Sequence, residues 1–94
     1  MTFRDSPSAD GALVDRVRKV VARVAGPARV PAQAGPDTPL AEDGFWLDSV
    51  DLIELVVACE DEFGVTFEGE ADLTPENLRT VRSLAELVLS KGPR

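Results

Sequence analysis

Asp48-Ser49-Val50-Asp51-Leu52-Ile53-Glu54-Leu55-Val56-Val57-Ala58-Cys59-Glu60-Asp61-Glu62-Phe63-Gly64 is the stretch whose reading decides the fold. Leu52, Ile53, Leu55, Val56, Cys59 and Phe63 recur at steps of three and four, and that spacing predicts the apolar side of a helix over residues 49–63. Asp51, Glu54, Asp61 and Glu62 fall largely elsewhere. Val57 lies off the strongest part of the stripe and is expected at the surface. Gly64 ends the run with a residue that accepts a left-handed terminal turn. At the other end, Asp-Ser ahead of an apolar run has the look of any helix N-cap. Taken alone, Ser49 therefore argues only for capping. Cys59, on the apolar stripe, reads as a buried core residue rather than a reactive thiol.

Upstream of this helix, residues 27–47 form a long connection interrupted by Pro27, Pro31, Pro36 and Pro39. A link of that length inside a small domain needs anchors, and Leu40, Phe45, Trp46 and Leu47 are the apolar residues available. Packing is the expected role for Trp46. Before the link, Leu13, Val14, Val17, Val20, Val21 and Val24 mark one face of a first helix, with Arg16, Lys19 and Arg23 on the other side. Asp10 is its expected cap and Gly26-Pro27 its end. Its β-branched content weakens local helix preference, so packing must hold it helical. Residues 1–9 read as a disordered segment, and residues 10–91 as one domain.

Downstream, Val65-Thr66-Phe67 reads as an extended tie. Thr74-Pro75 is a helix start, with a Thr cap and Pro in the first turn. That helix must be short, because Thr80 begins another carrying Val81, Leu84, Ala85, Leu87 and Val88, closed by Gly92-Pro93. The predicted fold is all-α: a small four-helix bundle of three main helices plus one short third helix, with a long loop between the first two.

The 94 residues carry a net charge of −7, and its layout is uneven. Thirteen of the seventeen acids lie between Asp37 and Glu76, and no Lys or Arg occurs from Val30 to Leu78. An acidic half repels phosphate backbones, so no nucleic-acid partner is expected. It favours partners that present Lys and Arg. There is no histidine, which removes the commonest general base and metal ligand. A serine–histidine couple cannot be built, and no calcium-loop spacing is present, so neither an autonomous enzyme nor a metal site is expected. One cysteine gives no internal disulfide. Neither a membrane-spanning run nor a secretory signal is visible, and a cytoplasmic monomer is the expectation.

From Asp48 to Gly64 the chain resembles the acyl carrier protein family, whose signature is an Asp-Ser-Leu-type triplet opening an acidic helix that ends in Glu-Glu-Phe-Gly or similar. Here Val50 stands in place of the Leu, and Asp61-Glu62-Phe63-Gly64 closes the helix. Glu76 to Val88 is similar to the family's short third helix and its fourth, so the resemblance covers roughly residues 11–90. Many members place a Gly two residues before the Asp-Ser pair, whereas here Leu47 precedes Asp48 and the nearest Gly is Gly44.

The resemblance implies that Ser49 carries a covalent 4′-phosphopantetheine arm whose thiol holds acyl groups as thioesters. A helix N-terminus suits its phosphate. The arm would be installed from coenzyme A by a phosphopantetheinyl transferase, with Asp48 serving as cap and in transferase recognition. Val50, Asp51, Glu54, Val57, Glu60 and Asp61 would form the surface for acyl-loading and chain-processing enzymes with basic docking patches. The implied function is an acyl carrier protein presenting intermediates to fatty-acid or polyketide biosynthetic enzymes. Two alternatives stay open: a peptidyl, aminoacyl or aryl carrier loaded by an adenylating enzyme, towards which the Gly-Phe-Trp-Leu-Asp-Ser approach leans, and an unmodified acidic helical interaction module.

Overall fold

A computed structural model describes residues 11–93. The segment 1–9, the Asp10 cap and Arg94 lie outside those residues. Four helices follow in order: α1 (Gly11–Ala25), α2 (Ser49–Phe63), α3 (Gly69–Asp72) and α4 (Val81–Ser90), with one 3₁₀ turn at Pro27–Arg29. Among the described residues there is no strand, only an isolated antiparallel bridge between Pro39 and Thr80. The all-α class, the long link and the sequence of three longer helices and one short third helix are as the sequence predicts.

α1 and α2 run antiparallel. Arg16 and Arg23 reach Glu62 near the end of α2, whereas Arg29, just beyond α1, reaches Asp51 in the first turn of α2. The stripe Leu13, Val14, Val17, Val20 and Val21 is buried against Leu55, Cys59 and Phe63 of α2 and Val81, Leu84 and Val88 of α4. Burial of this stripe is what holds a valine-rich segment helical. The link contributes Leu40, Phe45 and Leu47 to the same core.

The link is pinned by backbone bonds. Leu40 N–H donates to Arg79 O at 3.0 Å and Val81 N–H to Thr38 O at 3.2 Å, so residues 38–40 lie along the start of α4. Phe45 N–H returns to Pro39 O and Leu47 N–H to Leu40 O, both at 3.0 Å. The resulting loop is closed so tightly at Gly44 that a Cβ there would lie 1.9 Å from Pro39 O.

Three expectations need correction. The short third helix is not at Thr74-Pro75 but at Gly69–Asp72. There the Asp72 carboxylate accepts from Glu68 N–H at 2.6 Å and pairs with Lys91 Nζ at 2.6 Å, fixing α3 to the end of α4. Thr74 closes one turn only, its Oγ accepting from Asn77 N–H and its carbonyl from Leu78 N–H. The turn cannot extend because Thr80 is already the extended N-cap of α4, in a reciprocal box with Ser83. Trp46 does not anchor the link: it is 57% exposed. Ile53, assigned to the apolar side of α2, is 66% exposed. It is two positions from Leu55, far round the helix, and faces water with Val50 and Val57.

Candidate functional site

The head of α2 is built around Asp48. Its Oδ1 accepts from Asp51 N–H at 2.8 Å, while Asp51 Oδ2 accepts from Asp48 N–H at 3.0 Å. This reciprocal box satisfies one orphan donor of the helix and fixes the turn into it. Asp48, not Ser49, is therefore the cap. Ser49 is the first helical residue, it is exposed, and among the described residues its Oγ has no hydrogen-bond partner. The backbone N–H groups of Ser49 and Val50 are likewise unengaged among the described residues. A free hydroxyl beside free helix-terminal donors suits a phosphate ester.

Arg29 holds this arrangement from behind, a contact that sequence reasoning missed. Its Nη1 lies 2.7 Å from Asp51 Oδ2 and 3.2 Å from the Trp46 carbonyl, and its Nε donates to Ala25 O at 2.9 Å. One guanidinium thus joins the end of α1, the tip of the link and the first turn of α2. The Arg29 guanidinium, and next the Asp48 N–H, hold the half-buried Asp51 carboxyl down to about 2. In return Asp51 raises Arg29.

The residues singled out on α2 fall into two groups. Ser49, Val50, Glu54, Val57 and Asp61 are exposed, as is Asp48 before them. Asp51 and Glu60 are engaged inside the protein instead. Asp51 belongs to the box with Arg29, and Glu60 Oε2 accepts from Phe67 N–H at 2.9 Å, tying the extended segment to the end of α2. Neither carboxylate is free for a partner in this conformation. Glu62, which the sequence reading left out of the surface, has Arg16 and Arg23 at 3.9 and 3.8 Å. Cys59 is fully buried, and burial pushes its thiol up to about 12. It is a core residue, as its place on the stripe predicts.

Beside the exposed face of α2 lies a cleft of about 280 Å³ lined by Leu52, Ile53, Val56, Val57, Leu73 and Leu78. It contains no polar side chain. Leu52, Leu73 and Leu78 also border a second hollow, which runs on to Pro39 and Ala41.

The described residues thus form a four-helix bundle that presents an exposed, unpartnered serine at the head of an acid-rich helix. The family model for the phosphopantetheine attachment site matches residues 15–88. Over 76 residues the chain is 37% identical to an acyl carrier protein of Thermosynechococcus vestitus, spanning 80% of this chain and 89% of that protein. Among solved structures it is similar to a chain in the crystal structure of Bradyrhizobium japonicum glycine:[carrier protein] ligase complexed with glycylated carrier protein. That similarity has a TM-score of 0.67 and 26% identity, and covers 81% of this chain and 97% of that one. The chain belongs to the phosphopantetheine-attachment family of carrier proteins, and its cofactor is covalent 4′-phosphopantetheine.

Proposed function

We propose that Ser49 is the attachment residue and that the protein carries acyl chains of the fatty-acid or polyketide kind. The Ser49 Oγ would form a bond to the phosphorus of coenzyme A that bears the pantetheine. The bond from that phosphorus to adenosine 3′,5′-bisphosphate would break, and the hydroxyl proton would pass to a base on the transferase. No histidine stands in this chain to activate the serine, so that base belongs to the partner. The arm supplies a thiol that holds acyl groups as thioesters. The chain's own part is to fix the attachment point through the Asp48–Asp51–Arg29 box, to leave Ser49 uncovered, and to hold cargo at high local concentration before partner active sites. Glu54 and Asp61 are the free acids beside Val50 and Val57 for basic partner patches. Cytoplasmic residence and a monomeric state belong to the same reading.

The observation that carries the acyl reading is the wholly apolar cleft between α2 and residues 73–78. An alkyl chain gains by leaving water there, and a glycyl group has nothing to bury. The second reading, an aminoacyl carrier loaded by a ligase, is favoured by the similarity to the glycylated carrier protein.

Incubation with coenzyme A and a broad-specificity phosphopantetheinyl transferase is expected to add one arm, read by intact mass, and Ser49→Ala is expected to add none. An unchanged wild-type mass with several transferases would sink the proposal. Octanoyl and glycyl groups on the arm then separate the readings. The octanoyl form is expected to melt several degrees above the glycyl form, and equal midpoints would favour the aminoacyl carrier.

A further inference from the structure

Trp46 sits at φ 58, in the left-handed region that a side chain with a Cβ occupies only at a cost. Backbone contacts hold it there. Its N–H donates to Ala41 O at 2.8 Å, and its carbonyl accepts from Arg29 Nη1 at 3.2 Å. Phe45 and Leu47 on either side are buried, so the chain is fixed before and after it. The indole itself is left 57% exposed. The backbone does not call for tryptophan at this point, because glycine takes a positive φ freely. Nor does the core, which the indole does not enter. A large aromatic group held in water at a strained position fits a contact made with another molecule.

Its surroundings say what kind. The exposed large apolar residues among those described are Trp46, Val50, Ile53 and Val57, and in the sequence the exposed Ser49 falls between the first two. Glu42, Asp43, Asp48 and Glu54 are exposed around the same end of α2. The Arg29 guanidinium, which bonds the Trp46 carbonyl, is engaged by Asp51. This surface complements an apolar recess rimmed by Lys and Arg.

We propose that Trp46 is a specificity-determining contact for the phosphopantetheinyl transferase, seated in such a recess on that enzyme. The proposal rests on Ser49 being the attachment residue. The transferase is the partner that must act on Ser49 Oγ itself. Ser49 lies three positions after Trp46, so their Cα atoms are within about 11 Å. Enzymes that act on the thiol at the far end of the arm can dock along Val50, Glu54, Val57 and Asp61 without reaching back past Ser49 to Trp46. In the transfer, the Ser49 Oγ–phosphorus bond forms, the bond to adenosine 3′,5′-bisphosphate breaks and the serine proton goes to the transferase. Trp46 touches none of these atoms and acts through binding.

The test uses the full-length apo protein with a broad-specificity transferase and coenzyme A, comparing wild type, Trp46→Gly and Trp46→Phe. Trp46→Gly is expected to raise KM for the carrier about tenfold, as loss of a buried aromatic anchor does, with kcat within about twofold. Its melting midpoint should stay within about 5 °C, since relief of the left-handed strain offsets lost packing. Trp46→Phe is expected to recover most of the KM. An unchanged KM in Trp46→Gly overturns the proposal, and so does loss of the folded helical signal, which would make the indole structural. Because Trp46 is the sole tryptophan, 5-fluorotryptophan labelling gives one fluorine resonance. That resonance is expected to move when the transferase is added. A shift of equal size on arm attachment alone would assign the indole to the arm and overturn the proposal. Failure of the wild type to gain the arm would instead overturn the reading of Ser49.

Discussion

Helices α1 and α2 are both fifteen residues long and treat their apolar side chains in opposite ways. α1 hides Leu13, Val14, Val17, Val20 and Val21 in one stripe and fills its outer side with Asp15, Arg16, Lys19 and Arg23. α2 hides Leu55, Cys59 and Phe63 and displays Val50, Ile53 and Val57. Scattered surface valines call for no explanation, but three along one helix face beside an unpartnered serine form a patch. α1 is apolar in order to fold. The apolar content of α2 is divided between folding on one side and contact on the other.

That division can be broken most forcefully from the inside. Phe63 is fully buried, with the Arg16 guanidinium 4.7 Å from its ring centre. Phe63→Ala is expected to destabilise by about 3–5 kcal/mol in urea unfolding, the usual cost of emptying a core aromatic site. A cost below about 1 kcal/mol would mean that the inner face of α2 is not what holds it. Next in size is Gly44→Ala. The new Cβ meets a backbone oxygen, Pro39 O, which cannot move without opening the loop from Leu40 to Leu47. A loss of about 2–3 kcal/mol is expected, together with slower arm attachment, because this loop delivers the chain to Asp48.

The two faces of α2 were unequally legible in the sequence. Leu55, Cys59 and Phe63 could be read from spacing, because burial at a helical period is a local pattern. Ile53 could not be separated from them. It sits beside Leu52 in an apolar run, and which side of that run meets α1 depends on tertiary packing. The Thr74-Pro75 start was misread for a related reason: its propensity is real, but Thr80 begins α4 too soon for more than one turn. Arg29 was invisible because its partner Asp51 is 22 positions away. Trp46 left a trace. The position two residues before Asp48, where the family resemblance leads one to expect Gly, holds Trp46, which with Asp43 adopts a left-handed φ without being glycine. The missing glycine marks a left-handed position filled by tryptophan.

Arg29 tests the head of α2, where the two faces begin. Arg29→Ala is expected to lower the melting midpoint by a few degrees at pH 7, since it removes contacts to Ala25 O, the Trp46 carbonyl and Asp51. The pH dependence gives the sharper readout. Asp51 has its folded value held at about 2 against an ordinary 3.8, so its contribution is present above about pH 4. As pH falls from about 4 to 2, the unfolded chain takes up the proton first and the contribution disappears. Thermal melts of the wild type should therefore lose stability across that window through this group, and Arg29→Ala should lose less. Parallel curves for the two proteins would show that the pair does not set the Asp51 carboxyl.

The smallest expected change in stability is the most informative about the outer face. Ile53→Ser replaces a side chain that is 66% exposed, so urea unfolding should shift by no more than about 0.5 kcal/mol. Yet Ile53 also lines the apolar cleft with Leu52, Val56, Val57, Leu73 and Leu78. If cargo enters there, the hydroxyl should reduce the extra melting temperature of the octanoyl form while leaving the apo protein unchanged. A stability loss above about 1 kcal/mol in the apo protein would return Ile53 to the core and erase the contrast with α1. An unchanged octanoyl increment would separate the exposed face from the cleft, leaving Val50, Ile53 and Val57 as a contact surface for proteins alone.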